Sequence, residues 1–282
     1  MIKTLSYAIL IFSVFTCNAQ ESILFKNNIS PNKKYTTDIS TTSVTSIVID
    51  GSEEVMENLK SSGMTMPIIS KGTSHSQTEI VTQKRDKKGE IPAIVTYGAM
   101  TSTITTNGEV DVQKNPFEGV QMLVTYDKES NLRIDSIIGD ELDPQLEKVL
   151  KDMMESIQQA IDFPEKPLKI GDSFYQEIPL SIPMEGMNPL TMQINTTYFL
   201  KRIKGNFAYF DIEQAITMNI SEGQYKIAAT GSGDGIIEYN ITENFMTKYT
   251  SNLPLEMNFD MGDEMNMSMK IKSETVQVTR IE

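Results

Sequence analysis

The sequence predicts a mainly β protein of the α+β class, built as two similar curved antiparallel sheets or open half-barrels with one long amphipathic helix between them. Three observations predict it. β-branched and aromatic residues recur at alternate positions along most of the chain. One stretch, residues 143–163, switches to the three-and-four spacing of a helix. And VTYDKESNLRIDSI (124–137) is nearly restated as IEYNITENFMTKYT (237–250), so the architecture itself is repeated.

The elements follow in order. MIKTLSYAILIFSVFTCNAQ opens with Lys3 and an apolar run from Leu5 to Phe15. That run is too short to span a bilayer and suits a secretory signal over residues 1–19, cleaved after Ala19. The alternative is lipidation at Cys17, although Phe15 and Thr16 are larger than the residues that usually precede a lipidated cysteine. No later stretch is long and apolar enough for a helical membrane span.

Residues 20–142 form the first β half. TSVTSIVID (42–50) alternates as a strand with Thr45, Ile47 and Ile49 on one face. Residues 52–61 read as a short helix with Asp50 and Glu53 as a capping box and Gly63 beyond its end. Hairpin turns are expected near Gly89 and Gly108.

Residues 143–163 are the connecting helix. Asp143 is a good N-cap, Pro144 suits the first turn and Pro164 stops the run. Leu146, Val149, Leu150, Met153, Met154, Ile157 and Ile161 make one apolar stripe, whose burial contributes about 10–20 kcal/mol before ordering costs. Such a stripe belongs against a sheet. Leu146, Leu150, Met153 and Ile157 are therefore the candidate ligand-facing residues.

Residues 164–282 form the second β half. NFAYFDIEQAITMNI (206–220) reads as a long strand with Phe210, Ile212, Ile216 and Met218 on one face and Phe207, Tyr209, Asp211, Glu213 and Ala215 on the other. The repeat extends upstream: Lys84-Arg85 matches Lys201-Arg202, Gly89 matches Gly205, and Ala99 and Thr101 match Ala215 and Thr217. Each half thus reads as a meander with turns near Gly89 or Gly205, then Gly108 or Gly223, then a Tyr-Asp or Tyr-Asn pair. TGSGDG (230–235) lacks the Gly-Lys-Ser/Thr ending of a phosphate loop and reads as a bulge or bend in a strand.

Chemical resources are thin. The chain has one Cys and one His, His75, which reads as a surface residue at a strand start. Neither a zinc site nor a Gly-x-Ser-x-Gly elbow can be assembled, and no Trp is present for sugar stacking. The expectation is a non-enzyme with no cofactor. A net charge of -13 disfavours nucleic acid and anionic lipid surfaces. Met265, Met267 and Met269 alternate on one strand face, where they serve either as adaptable apolar filler or, less readily, as soft ligands for Cu(I).

With Lys33-Lys34-Tyr35, the QKRDKKG turn, the Pro164-x-x-Pro167-Leu-Lys-Ile-Gly171-Asp172 restart and the Tyr239 turn, the chain resembles a group of exported bacterial two-half β proteins to which no activity attaches. Its architecture is distantly similar to the half-barrels of periplasmic lipoprotein and lipid carriers, a likeness of fold that does not fix function. The sequence reading is an extracytoplasmic monomer, periplasmic, secreted or anchored to the outer membrane. It would bind an apolar small molecule or lipid in a cleft under the helix. The alternative is a structural or adhesive surface protein with a packed interior.

Overall fold

The computed structural model describes residues 22–61, 63–114, 117–138, 161–182, 190–222, 225–260, 262 and 265–282. The strands are β1 (Lys34–Gly51), β2 (Ile68–Thr82), β3 (Ile91–Thr106), β4 (Glu109–Lys114), β5 (Gln121–Tyr126) and β6 (Leu132–Ile138). They continue as β7 (Ser173–Ile182), β8 (Leu190–Lys204), β9 (Phe207–Glu222), β10 (Tyr225–Asn240), β11 (Phe245–Asp260) and β12 (Met265–Ile281). The helix α1 spans Glu53–Ser61.

All twelve strands belong to one sheet, ordered β6-β5-β3-β2-β1-β12-β11-β10-β9-β8-β7, with β4 alongside the far end of β3. This corrects the expectation of two sheets. The halves fuse because β1 and β12 pair along their length, from Tyr35↔Ile281 to Gly51↔Met265. Apart from β4 and β5, which both pair with β3, consecutive strands are otherwise neighbours, and the described strands form one open antiparallel sheet with β6 and β7 at its edges.

The alternation assigns two faces. Tyr35, Thr37 and Ile39 of β1 stand level with Ile80, Thr78 and Ser76 of β2 and with Ile281, Thr279 and Gln277 of β12. These point inward. Outward positions carry Lys34, Asp38, Glu79, Glu256, Lys270 and Arg280, which form the ion pairs Lys34–Glu79 (2.7 Å), Lys270–Glu256 (3.0 Å) and Arg280–Asp38 (2.5 Å). A transmembrane barrel presents an apolar outer band about 25 Å tall; this wall presents charge.

Turn chemistry accounts for the meander. At 86–90 the Asp86 carboxylate accepts the Lys88 and Glu90 amides (2.8 and 2.9 Å), and Gly89 takes φ 85°. Asn107 and Gly108, both left-handed at φ 51° and 90°, close β3 onto β4 as a tight hairpin. The restated motif is a buried tyrosine followed by a side-chain-capped turn. Asp127 accepts the Glu129 and Asn131 amides after Tyr126, and Asn240 accepts the Thr242 and Glu243 amides after Tyr239.

Three sequence readings are adjusted. The α1 cap is Ser52, whose hydroxyl accepts the Val55 amide (3.4 Å), rather than Asp50; Gly63 ends the helix at φ 78°. Glycines 231, 233 and 235 lie in unbroken register with β9, and the irregularity in β10 falls at Glu238/Tyr239. Residues 143–160, with the candidates Leu146, Leu150, Met153 and Ile157, lie outside the described residues, as do Cys17 and the turn at Gly223. Residues 161–164 are irregular, so the helical assignment does not extend to Phe163.

Candidate functional site

The inner face is banded. At the end of the sheet where β1 begins and β12 ends, large side chains form a floor. In the first half the floor consists of Tyr35, Ile91, Val95, Tyr97, Met122, Val124 and Tyr126. In the second it consists of Tyr198, Leu200, Phe210, Ile212, Ile237 and Tyr239. The Tyr35 and Phe245 rings meet 5.0 Å apart across the junction of the halves.

A strap, residues 22–30, crosses this floor. Ile23 and Leu168 exchange backbone hydrogen bonds (2.9 and 2.8 Å), and the Asn28 amide donates to the Asn244 carbonyl (3.0 Å). Phe25 enters the second-half core, with its ring 5.1 Å from Phe210, 5.2 Å from Tyr239 and 5.5 Å from Phe163. Four residues on, Ile29 enters the first-half core. The Tyr239 hydroxyl donates to the Lys26 carbonyl, and the Tyr35 hydroxyl accepts the Ser30 amide (2.8 Å). One short segment therefore pins both halves.

Above the strap lies a cavity of about 990 Å³. Ile39, Ile80, Val95 and Tyr97 line it from the first half, Gln176 and Ile178 of β7 from the second, and Phe245 and Gln277 from the junction. Tyr126 and Leu132, near the β6 edge, face the same space, as do Phe25, Ile29, Ile161 and Phe163. Strands near both edges of the sheet thus share one concavity.

The polar groups on this inner face are almost all uncharged. Thr37 and Thr279 hydroxyls share a hydrogen bond (2.9 Å), as do Thr41 and Thr275 (3.1 Å). The Gln176 carbonyl oxygen accepts from the Tyr198 hydroxyl (3.2 Å), and that of Gln214 from Ser251 (3.0 Å). Burial pushes the Tyr97, Tyr198 and Tyr239 hydroxyls up to about 12 and raises Tyr126 further, so all four are neutral donors at neutral pH.

Beyond the polar level the second half turns apolar again, with Met192, Ile216, Met218, Ile227 and Ala229 buried together. Met265, Met267 and Met269 stand on this face, as their alternation predicts. Their cross-strand partners are Gly51, Ile49 and Ile47 on β1, with Phe259 and Met257 opposite Met267 and Met269 on β11. Among the described residues no group of three His, Cys, Asp or Glu side chains is placed to hold a metal.

His75 is a surface residue, but in mid-strand on the outer face. Its Nδ1 lies 3.1 Å from the Ser40 hydroxyl and its Nε2 4.0 Å from Asp38. Asp38 is already engaged: a Gln77 hydrogen bond (2.8 Å) first and Arg280 second hold its carboxyl below the usual range. The group sits on the convex wall, away from the cavity. The cavity residues share the period-two pattern of ordinary core positions; no local motif distinguishes Ile39, Ile80 or Gln277 from the other inward positions.

No family model matches the chain, and no curated protein matches it. Among solved structures it is similar to the crystal structure of Pseudomonas aeruginosa OccK7 (OpdD), covering 89% of this chain and 99% of that chain, with 5% sequence identity and a TM-score of 0.25. A score that low decides neither fold nor function.

Proposed function

We propose that this chain is a non-enzymatic, exported binding protein that shelters an apolar small molecule or lipid on the concave face of its sheet. The observation that carries this reading is the cavity of about 990 Å³ between the strap and the inner face, lined by Ile39, Ile80, Val95, Tyr97 and Phe245. Ligand pockets have this size and this mixture of apolar wall and sparse neutral polar groups. The charged outer wall suits a protein in water. Export rests on the signal-like residues 1–19. Cover by the stripe of residues 143–163 remains part of the proposal; it rests on that sequence and on Ile161 and Phe163 at the cavity wall.

The test is native mass spectrometry of protein recovered from its own compartment, paired with titration of a neutral fluorescent apolar probe. Retained lipid, or probe binding abolished by Val95→Trp, supports the reading. An empty protein that also fails to bind the probe removes it. The alternative use of Met265, Met267 and Met269 for Cu(I) is excluded if a triple Leu variant retains as much Cu(I) against a chelator.

A further inference from the structure

The geometry points to an uncharged amphiphile, and against an anionic one, as the occupant of the cavity; this rests on the reading just given. The wall divides by chemistry. Ile39, Ile80, Val95 and Phe245 supply apolar surface, and the polar side chains that line it on the inner face, Thr37, Thr78, Gln176 and Gln277, are hydroxyls and amides. Among the described residues the Gln277 amide makes no hydrogen bond, although it stands level with Ile39 on the inner face of β12. It is free to donate to or accept from a ligand hydroxyl or amide.

The acidic and basic side chains along the cavity are unequal in number among the described residues. Among the described residues Glu129, Asp162, Glu165 and Glu177 contribute carboxylates, and Lys26 alone contributes an ammonium. Glu177 accepts a hydrogen bond from the Tyr175 hydroxyl (2.6 Å). Among the described residues no Arg or second Lys lines the space to pair with a carboxylate or phosphate head. The net charge of -13 adds a field of the same sign. An anionic head must therefore desolvate without a partner or remain beside like charges; a hydroxyl or amide head meets neither cost.

The experiment uses the full chain and three amphiphiles of one chain length: a fatty alcohol, the matching fatty acid at a pH where it is ionised, and an alkyltrimethylammonium. Each displaces the neutral fluorescent probe at low and high salt. The expected result is alcohol binding at least about tenfold tighter than the acid at low salt, with a gap that narrows as salt screens the carboxylates. The exposed pair change Glu129→Gln/Glu165→Gln narrows the gap while leaving alcohol affinity within about twofold. Gln277→Leu weakens the alcohol relative to an alkane of the same length. Acid binding equal to or tighter than alcohol binding overturns this inference and leaves the cavity reading intact. Failure of the probe and of all three amphiphiles overturns the cavity reading, and this inference with it.

Discussion

The two halves of the sheet repeat their floors but not their walls. Each floor has a tyrosine before a side-chain-capped turn, and Phe25 and Ile29 of one strap enter one core each. Farther along the strands the likeness fails. In the second half β9 and β10 are each 16 residues long and carry the extra core of Ile216, Met218 and Ile227. In the first half the matching partner of β3 is split into β4 and β5, each of 6 residues. Ser70, Gly72 and Ser74 of β2 line that level instead, opposite Thr106, Ile104 and Ser102 of β3. The floor is where both halves bury large side chains; above it the second-half wall is apolar, while the first-half wall, with β2 and β3 of 15 and 16 residues, is as tall but polar. The cavity lies at floor level, lined by Val95 and Tyr97 on one side and Gln176 and Ile178 on the other.

The strap gives the largest expected effect. Phe25→Ala removes a ring shared by three aromatic neighbours and costs about 3–5 kcal/mol in chemical denaturation. Ile29→Ala costs about 2–4 kcal/mol by the same measurement. If either change separates unfolding into two transitions, the halves are held together chiefly by the strap rather than by β1–β12 pairing.

The walls come next. Ile216→Ala, in a position 3% exposed, costs about 2–4 kcal/mol, whereas Ile104→Ala on the first-half wall costs under about 1.5. Equal losses would show that the first-half wall is packed as tightly as the second. Gly235→Ala probes the same contrast in the backbone. An added methyl would collide with the Thr250 carbonyl, and a loss of about 2 kcal/mol or more is expected. Gly72→Ala on the opposite wall meets only the movable Ser43 hydroxyl (2.7 Å) and costs less.

Alkaline titration is a milder probe of the floors. Tyr97, Tyr198 and Tyr239 are held up to about 12 by burial, against about 10 in an unfolded chain. The folded state keeps protons that the unfolded state releases, so stability is full below pH 10 and falls as pH rises toward 12. Urea midpoints measured across that window should fall steadily. Tyr239→Phe should flatten the fall and cost about 1–2 kcal/mol at neutral pH through the lost bond to the Lys26 carbonyl. His75→Gln, on the outer wall, should shift stability by no more than about 0.5 kcal/mol.

What the sequence disclosed is what is encoded locally. Alternation placed Phe210, Ile212, Ile216 and Met218 on the buried face of β9, and turn residues located Gly89, Gly108 and Gly205. The short helix ended at Gly63 as its residues indicate, although Ser52 captured the cap because its hydroxyl sits three residues before an unsatisfied amide. The pairing of β1 with β12 had no local signal: it joins residues more than 200 positions apart, and both strands alternate like any other. The glycines of β10 read as a break because glycine favours bends, yet close approach of the β11 backbone requires them in a regular strand. The strap went unread since its value lies in two side chains, Phe25 and Ile29, whose partners are distant. The expected cleft was placed under residues 143–163, whose candidate residues lie outside the described residues; the lining went unread, because Ile39 and Val95 obey the same period whether they face a ligand or a neighbour.

The junction of β1 with β12 also bears on biosynthesis. Strand β1 waits for β12, made more than 200 residues later, so its edge amides and carbonyls on that side stay unsatisfied until then. A slow, late folding step follows from that long delay, and the nascent chain exposes a sticky strand edge throughout it.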